Sequence, residues 1–219
     1  MKQILFLIGI VLSVSCSKAT HTGTIPSHNS SSTSVIDLSP TLQSQILGGE
    51  QHFAVYLPPS YATEPNKRYP VLYLLHGMNQ NYKSWINEGA LQAVADEVIA
   101  EGAKEMIIIC PDGFNSFYYN RPQMRYEDFF IQEFIPEIER RYRILSEKSH
   151  RNIAGLSMGG FGATYLAFQY HNLFGNAYST SGGFIEPAMS LLKGIVNSKL
   201  PTQKNFFPSY TLECGEEDS

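Results

Sequence analysis

The sequence predicts an α/β fold with a mostly parallel central sheet and helices on both faces. Three observations carry that expectation. Continuous apolar runs at residues 71–75 and 106–110 suit strands buried on both faces. Stretches with helical spacing alternate with such runs along the chain. Three of the strand-like runs also deliver chemistry-bearing residues at their carboxyl ends: His76-Gly77-Met78, Ser157 and Asp218. Open parallel sheets bind ligands at that end.

The elements follow in order. Residues 4–14 form an apolar run of signal-peptide length behind Met1-Lys-Gln, too short to span a bilayer well. It ends in Leu12-Ser-Val-Ser-Cys16, which resembles a bacterial lipoprotein cleavage site, with Ser13 where leucine is usual. Residues 1–16 are therefore expected to be a signal peptide. The mature protein is expected in the periplasm or at the cell surface, with Cys16 as a lipid anchor. Residues 17–34 are Ser/Thr/His-rich and predict a flexible linker. Residues 35–219 fit one domain. Apolar residues make up 43% of the chain, enough for a sizeable core, and a net charge of −4 without a basic patch excludes nucleic acid as an expected partner.

Within that domain, residues 51–58 alternate apolar and polar and predict a strand closed by Pro58-Pro59. Residues 71–75 predict the next. Asn87 is the expected N-cap of a helix with Ala90, Leu91, Val94, Ala95, Val98 and Ile99 at helical spacing, and Gly102 its stop. Strand 106–110 is broken by Pro111-Asp112-Gly113, and residues 115–122 predict an aromatic loop. Residues 126–142 predict a long helix. Its first turn carries Glu127 and Asp128, one face carries Phe130, Phe134, Ile138 and Tyr142, and Pro136 should kink it. A strand at 152–156, a helix at 158–171, a strand at 177–180, a helix near 185–196 and a strand at 210–214 complete the pattern. Cys110 and Cys214 close strands that this fold separates, so both are expected as free, buried thiols.

The chain is organised around Gly155-Leu-Ser157-Met-Gly159, which fits G-x-S-x-G at the junction of a strand and a helix. A serine on so sharp a turn brings two stretches of backbone together, and a Cβ two residues before or after it would clash. Ser157 is then pushed out over the sheet, beside the unpaired N–H groups and positive dipole end of the helix. The plain alternative is an idle serine at a glycine-rich helix start.

A serine hydroxyl needs a base and an orienting carboxylate to act as a nucleophile. Asp218 follows a later strand and fits the acid, with Glu216 and Glu217 as neighbouring candidates or the three together as a solvated turn. Oxyanion donors are expected from the backbone N–H of Met158 and of Met78, where Gly77 lets the chain turn inward. The base is missing. His21 and His28 lie in the linker, His52 starts a strand, and His76 is placed to brace the oxyanion loop. His150 precedes the Ser157 strand at the far end of the sheet, and His171 ends the following helix. The catalytic histidine is therefore expected not to be present in this chain. A final strand without a covering helix also suggests a domain missing its C-terminal strand and helix. No metal and no organic cofactor is implied.

Leu74-Leu-His-Gly77, Pro111-Asp-Gly113, Tyr126-Glu-Asp-Phe129 with Ile135-Pro-Glu-Ile-Glu-Arg-Arg-Tyr142, and Gly155-Leu-Ser-Met-Gly-Gly160 resemble the esterase D group of the α/β-hydrolases. That group includes the feruloyl and acetylxylan esterases of carbohydrate esterase family 1. Cys214-Gly-Glu-Glu-Asp-Ser219 is similar to the group's C-G-x-x-D segment, whose Asp is the triad acid. The group's histidine lies downstream of that Asp. The resemblance implies an α/β-hydrolase fold and a serine esterase, and together with the expected export it points to feruloyl or acetyl esters of plant cell-wall polysaccharide. Trp85, Tyr118 and Tyr119 are candidates to line an aromatic acyl or sugar pocket, although such aromatics more often belong to the core. The alternatives are a siderophore esterase, an S-formylglutathione-type thioesterase, or an inactive binding scaffold lacking the base.

Overall fold

The computed structural model describes residues 33–203 and 207–214. The expected signal peptide, nearly all of the linker with Cys16, His21 and His28, and the acids Glu216, Glu217 and Asp218 lie outside the described residues. Ser34, assigned to the linker by composition, is docked on the domain: its hydroxyl donates to Asp96 Oδ2 at 2.7 Å.

Ten strands are described: β1 (Val35–Asp37), β2 (Thr41–Gln43), β3 (Glu50–Leu57), β4 (Val71–Leu75), β5 (Ile107–Pro111), β6 (Asn120–Arg121), β7 (Met124–Arg125), β8 (Arg151–Leu156), β9 (Asn176–Thr180) and β10 (Ser209–Glu213). The main sheet runs β1-β3-β5-β4-β8-β9-β10, with β2 beside β3. From β5 to β10 every neighbour pair is parallel, whereas β1, β2 and β3 pair antiparallel. The register aligns Leu75 with Gly155 and Leu156 with Thr180, and Thr180 with Glu213. The carboxyl ends of β4, β8, β9 and β10 are therefore nearly level, and the next residue of each begins the same face.

Alternation within the strands builds two cores, because successive side chains point to opposite faces. Leu72, Leu74, Ile108, Cys110 and Ala154 meet helix α2 (Leu91–Ala100) through Leu91, Val94, Ala95 and Val98. Val71, Tyr73, Leu75, Ile107, Ile109 and Ile153 meet, on the other face, the long helical run α3 (residues 126–141) and helix α4 (Met158–Gln169). All five residues of β4 are fully buried, as a strand covered on both sides requires. Helices on both faces of a mostly parallel sheet agree with the fold read from the sequence. No helix among the described residues is long and apolar enough to cross a membrane.

Several expectations are corrected. Asn87 is the last residue of a short helix α1 (Ser84–Asn87), not a cap; α1 has no side-chain cap of its own, and Asn81 Oδ1 accepts from Lys83 N at 2.9 Å in the turn that leads into it. Helix α2 starts instead from Ala90, in the left-handed region at φ 50°. Its end is as expected: Gly102 (φ 101°) donates to Ile99 O and Ala103 to Val98 O, the paired bonds of a Schellman turn. Helix α3 comprises Tyr126–Phe129, a π-helical turn Phe130–Phe134 and Ile135–Arg141. Pro136 has no N–H and its ring would strike the carbonyl one turn back, so the helix widens just before it. The aromatic loop contains half of the β6–β7 hairpin. Helix α4 ends two residues early, at Gln169, and helix α5 runs Ala188–Gln203, later than expected. Cys110 is buried and free, but Cys214, at an exposed edge, is exposed.

Candidate active site

Ser157 stands between β8 and α4 at φ 54°, ψ −114°, a conformation that L residues hold only when their surroundings impose it. Its N–H donates to Thr180 O at 2.9 Å, extending the sheet. Its carbonyl accepts from Phe161 N at 3.0 Å, the first helical bond, and from Gly183 N at 2.8 Å. The turn closes so tightly that a Cβ on Gly155 would lie 2.3 Å from the carbonyl of Gly159, and a Cβ on Gly159 would lie 2.3 Å from Leu75 O and 2.7 Å from His76 O. Glycine two residues to either side of the serine is thus a steric requirement here. The side chain is partly exposed.

The loop after β4 is held from three directions. Gly113 N donates to Nε2 of the buried His76 at 2.8 Å, so the ring is neutral and its Nδ1–H donates to Gly77 O at 2.8 Å. Tyr118 OH donates to His76 O at 2.9 Å. Gly77 N donates to Gln80 Oε1, and Asn79 N to Asn115 Oδ1, both at 2.8 Å. The amide between them, Met78 N, makes no hydrogen bond among the described residues, and neither does Met158 N at the first position of α4. Both expected oxyanion donors therefore have spare N–H groups. The loop and the serine turn are in contact through Gly159 and the carbonyls of Leu75 and His76.

None of the four described histidines is hydrogen-bonded to Ser157. His76 is consumed as a brace. His52 begins β3, whose antiparallel direction puts it at the carboxyl end of β5, but its ring stacks on Tyr82 at 5.6 Å, three strands from β8. His150 precedes β8 and lies 3.5 Å from Glu147 at the opposite end. His171 follows α4, and burial together with Lys199 and Lys148 holds its pKa below the usual imidazole value. Among the described residues no group of His, Cys, Asp and Glu could hold a metal ion.

Of the candidate aromatics, Tyr118 is fully buried and packs into the space left by Gly113 and Gly162; it is a strut, not a pocket wall. Tyr119 lies under the Arg121 guanidinium at 5.0 Å. Trp85 lines a small cavity of about 140 Å³ with Gln80, Glu88 and Leu156. Sequence reasoning missed two features. One is the edge-to-face cluster of Phe117, Tyr119 and Phe184 around Phe161, one helical turn after Ser157. The other is the Gly183 bond to Ser157 O; the small segment Ser181-Gly-Gly183 after β9 was its only signal in the chain.

The chain is similar over 148 residues to an esterase of Mycobacterium tuberculosis, at 34% identity, covering 64% of this chain and 31% of that protein. It is similar over 156 residues to an endo-1,4-beta-xylanase/feruloyl esterase of Xylanibacter ruminicola, at 33% identity, covering 67% of this chain and 22% of the other. The chain thus spans a third or less of the length of these curated relatives. A solved ferulic acid esterase superposes with a TM-score of 0.74 at 31% identity, covering 84% of this chain and 80% of that one. With the Esterase family model matching residues 44–206, more than half of the sequence, and with the α/β-hydrolase architecture described above, the chain belongs to the esterase family.

Proposed function

We propose that the protein is an exported serine carboxylic-ester hydrolase acting on feruloyl or acetyl esters of plant cell-wall polysaccharide. The observation that carries the reading is Ser157 itself, held at φ 54° between β8 and α4, with Met158 N–H next in the chain and Met78 N–H, in the loop after the neighbouring strand β4, both unengaged. Ser157 Oγ attacks the ester carbonyl carbon while its proton passes to a base. The carbonyl oxygen takes the negative charge and accepts from Met78 N–H and Met158 N–H. Collapse breaks the bond to the alcohol, which leaves with the proton, and water then cleaves the acyl-enzyme by the same route. Asp218 is the assigned orienting carboxylate. None of the six histidines in residues 1–219 is assigned as the base. The substrate class rests on the xylanase/feruloyl esterase relative and the ferulic acid esterase neighbour. Export rests on residues 1–16, with Cys16 as the proposed lipid attachment.

The test is hydrolysis of methyl ferulate and p-nitrophenyl acetate by the full-length gene product, with fluorophosphonate labelling. Ser157→Ala should abolish labelling and lower kcat by a factor on the order of 10⁶. Undiminished turnover in Ser157→Ala, or no turnover of either ester by the unmodified protein, refutes the reading.

A further inference from the structure

A second cavity, of about 360 Å³, opens on the same end of the sheet as Ser157, within the size range of ligand sites. It lies between the β2–β3 turn, the first residues of β3, Phe114 and the turn of the β6–β7 hairpin. Because β3 is antiparallel to β5, with Phe53 opposite Pro111, Gln51 lies beyond the carboxyl end of β5. Three strand spacings separate β3 from β8, about 14 Å at about 4.8 Å each. A single acyl group does not cross that distance; a short glycan chain does.

We infer that this cavity is a subsite for a neutral oligosaccharide segment of the substrate, an inference that rests on the esterase reading above. Four observations converge. Phe114 is 40% exposed yet fixed at φ 49°, with its N–H bonded to Asp112 Oδ1 at 3.0 Å, so an aromatic face is presented to solvent instead of collapsing into the core. The C–H face of a sugar ring stacks on such a surface. Gln51 is buried, its Nε2 donates to Gly48 O at 3.0 Å, and its Oε1 accepts nothing among the described residues. That orphaned acceptor calls for a donor, which a hydroxyl supplies. Arg125, the cationic residue of the wall, is already paired with Asp128 at 2.6 Å, so the cavity has no spare charge for an anion. Finally, Asn115, next to Phe114, exchanges two hydrogen bonds with Asn79, the neighbour of Met78, so the cavity wall is tied to the proposed oxyanion loop.

The experiment uses full-length protein in two arms. In the first, unesterified xylohexaose is titrated into Ser157→Ala protein and binding is read by calorimetry, independently of turnover. Binding is expected, weakened about tenfold by Phe114→Ala and severalfold by Gln51→Leu. In the second, the kcat/KM ratio of a feruloylated xylo-oligosaccharide to methyl ferulate is compared between unmodified protein and Phe114→Ala, and should drop about tenfold through KM. No xylohexaose binding by a protein that hydrolyses methyl ferulate overturns the inference, as does an unchanged ratio or an equal loss on both esters. Failure to hydrolyse any ester while xylohexaose still binds sinks the esterase reading and leaves the glycan site standing.

Discussion

Gly159→Ala isolates the geometry on which the site depends. The new methyl group would sit 2.3 Å from Leu75 O and 2.7 Å from His76 O, where real contacts stay above 3.0 Å. Both obstacles are backbone carbonyls, so neither can rotate aside, and the start of α4 must retreat from β4 by several tenths of an ångström. Overpacking of this kind costs about 1–3 kcal/mol, at the upper end where the neighbours are rigid. Alanine in place of glycine within a helix returns about 1 kcal/mol. A net loss of about 2 kcal/mol lowers Tm by about 4–8 °C for a chain of this size. Gly194, in α5 with nothing within 4 Å of an added Cβ, is the matched control. Gly194→Ala should gain about 0.5–1 kcal/mol and a few degrees. Displacement of Ser157 and Met158 N–H should also cut p-nitrophenyl acetate turnover about 100-fold in Gly159→Ala at temperatures where the protein stays folded. Calorimetric Tm and initial rates decide it. A Gly159→Ala protein as stable and as active as the Gly194→Ala control refutes the claim that the serine turn is closed sterically.

His76→Ala strands Gly113 N–H in a buried setting and leaves Gly77 C=O with only Gln80 N at 3.3 Å, and should cost about 1–3 kcal/mol, read by urea unfolding. A loss under 1 kcal/mol would show that the ring does not brace the loop. The carboxyl of Glu137 is pulled down to about 2 by its hydrogen bond with Arg140, against burial and with help from Arg141. A depressed carboxylate adds stability above its unfolded pKa and loses it as pH falls from about 5 to 2. Glu137→Gln should therefore lower stability at pH 7 by about 0.5–1 kcal/mol, with the difference vanishing near pH 2 in calorimetric pH series. Alkylation without denaturant should modify the exposed Cys214 and spare Cys110, whose thiol burial pushes to high pKa, as peptide mapping will read; modification of native Cys110 would contradict its placement.

What could be read along the chain was whatever depends on near neighbours. The strands at 71–75 and 107–111 announce themselves as apolar runs, the second read one residue early at 106–110 with Pro111 outside it, the serine turn is a five-residue pattern, and Gly102 stops its helix by local backbone freedom. Those features use short-range sterics and burial on both faces, which any window of the sequence displays. Boundaries set by partners far away in the chain were not legible. Asn87 has the chemistry of a cap, yet it ends α1, and the chain turns again at Ala90 before α2 begins. Tyr118 has the composition of a pocket residue, yet Gly113 and Gly162, one before and one after it, open the volume it fills. The direction of β3 decided that Gln51 and Phe114 share a cavity at the serine's end of the sheet. Local sequence sets each backbone's preferences and which face of an element is apolar. Only the packed sheet decides which distant side chains meet, because strand order and direction bring together residues with no pattern between them.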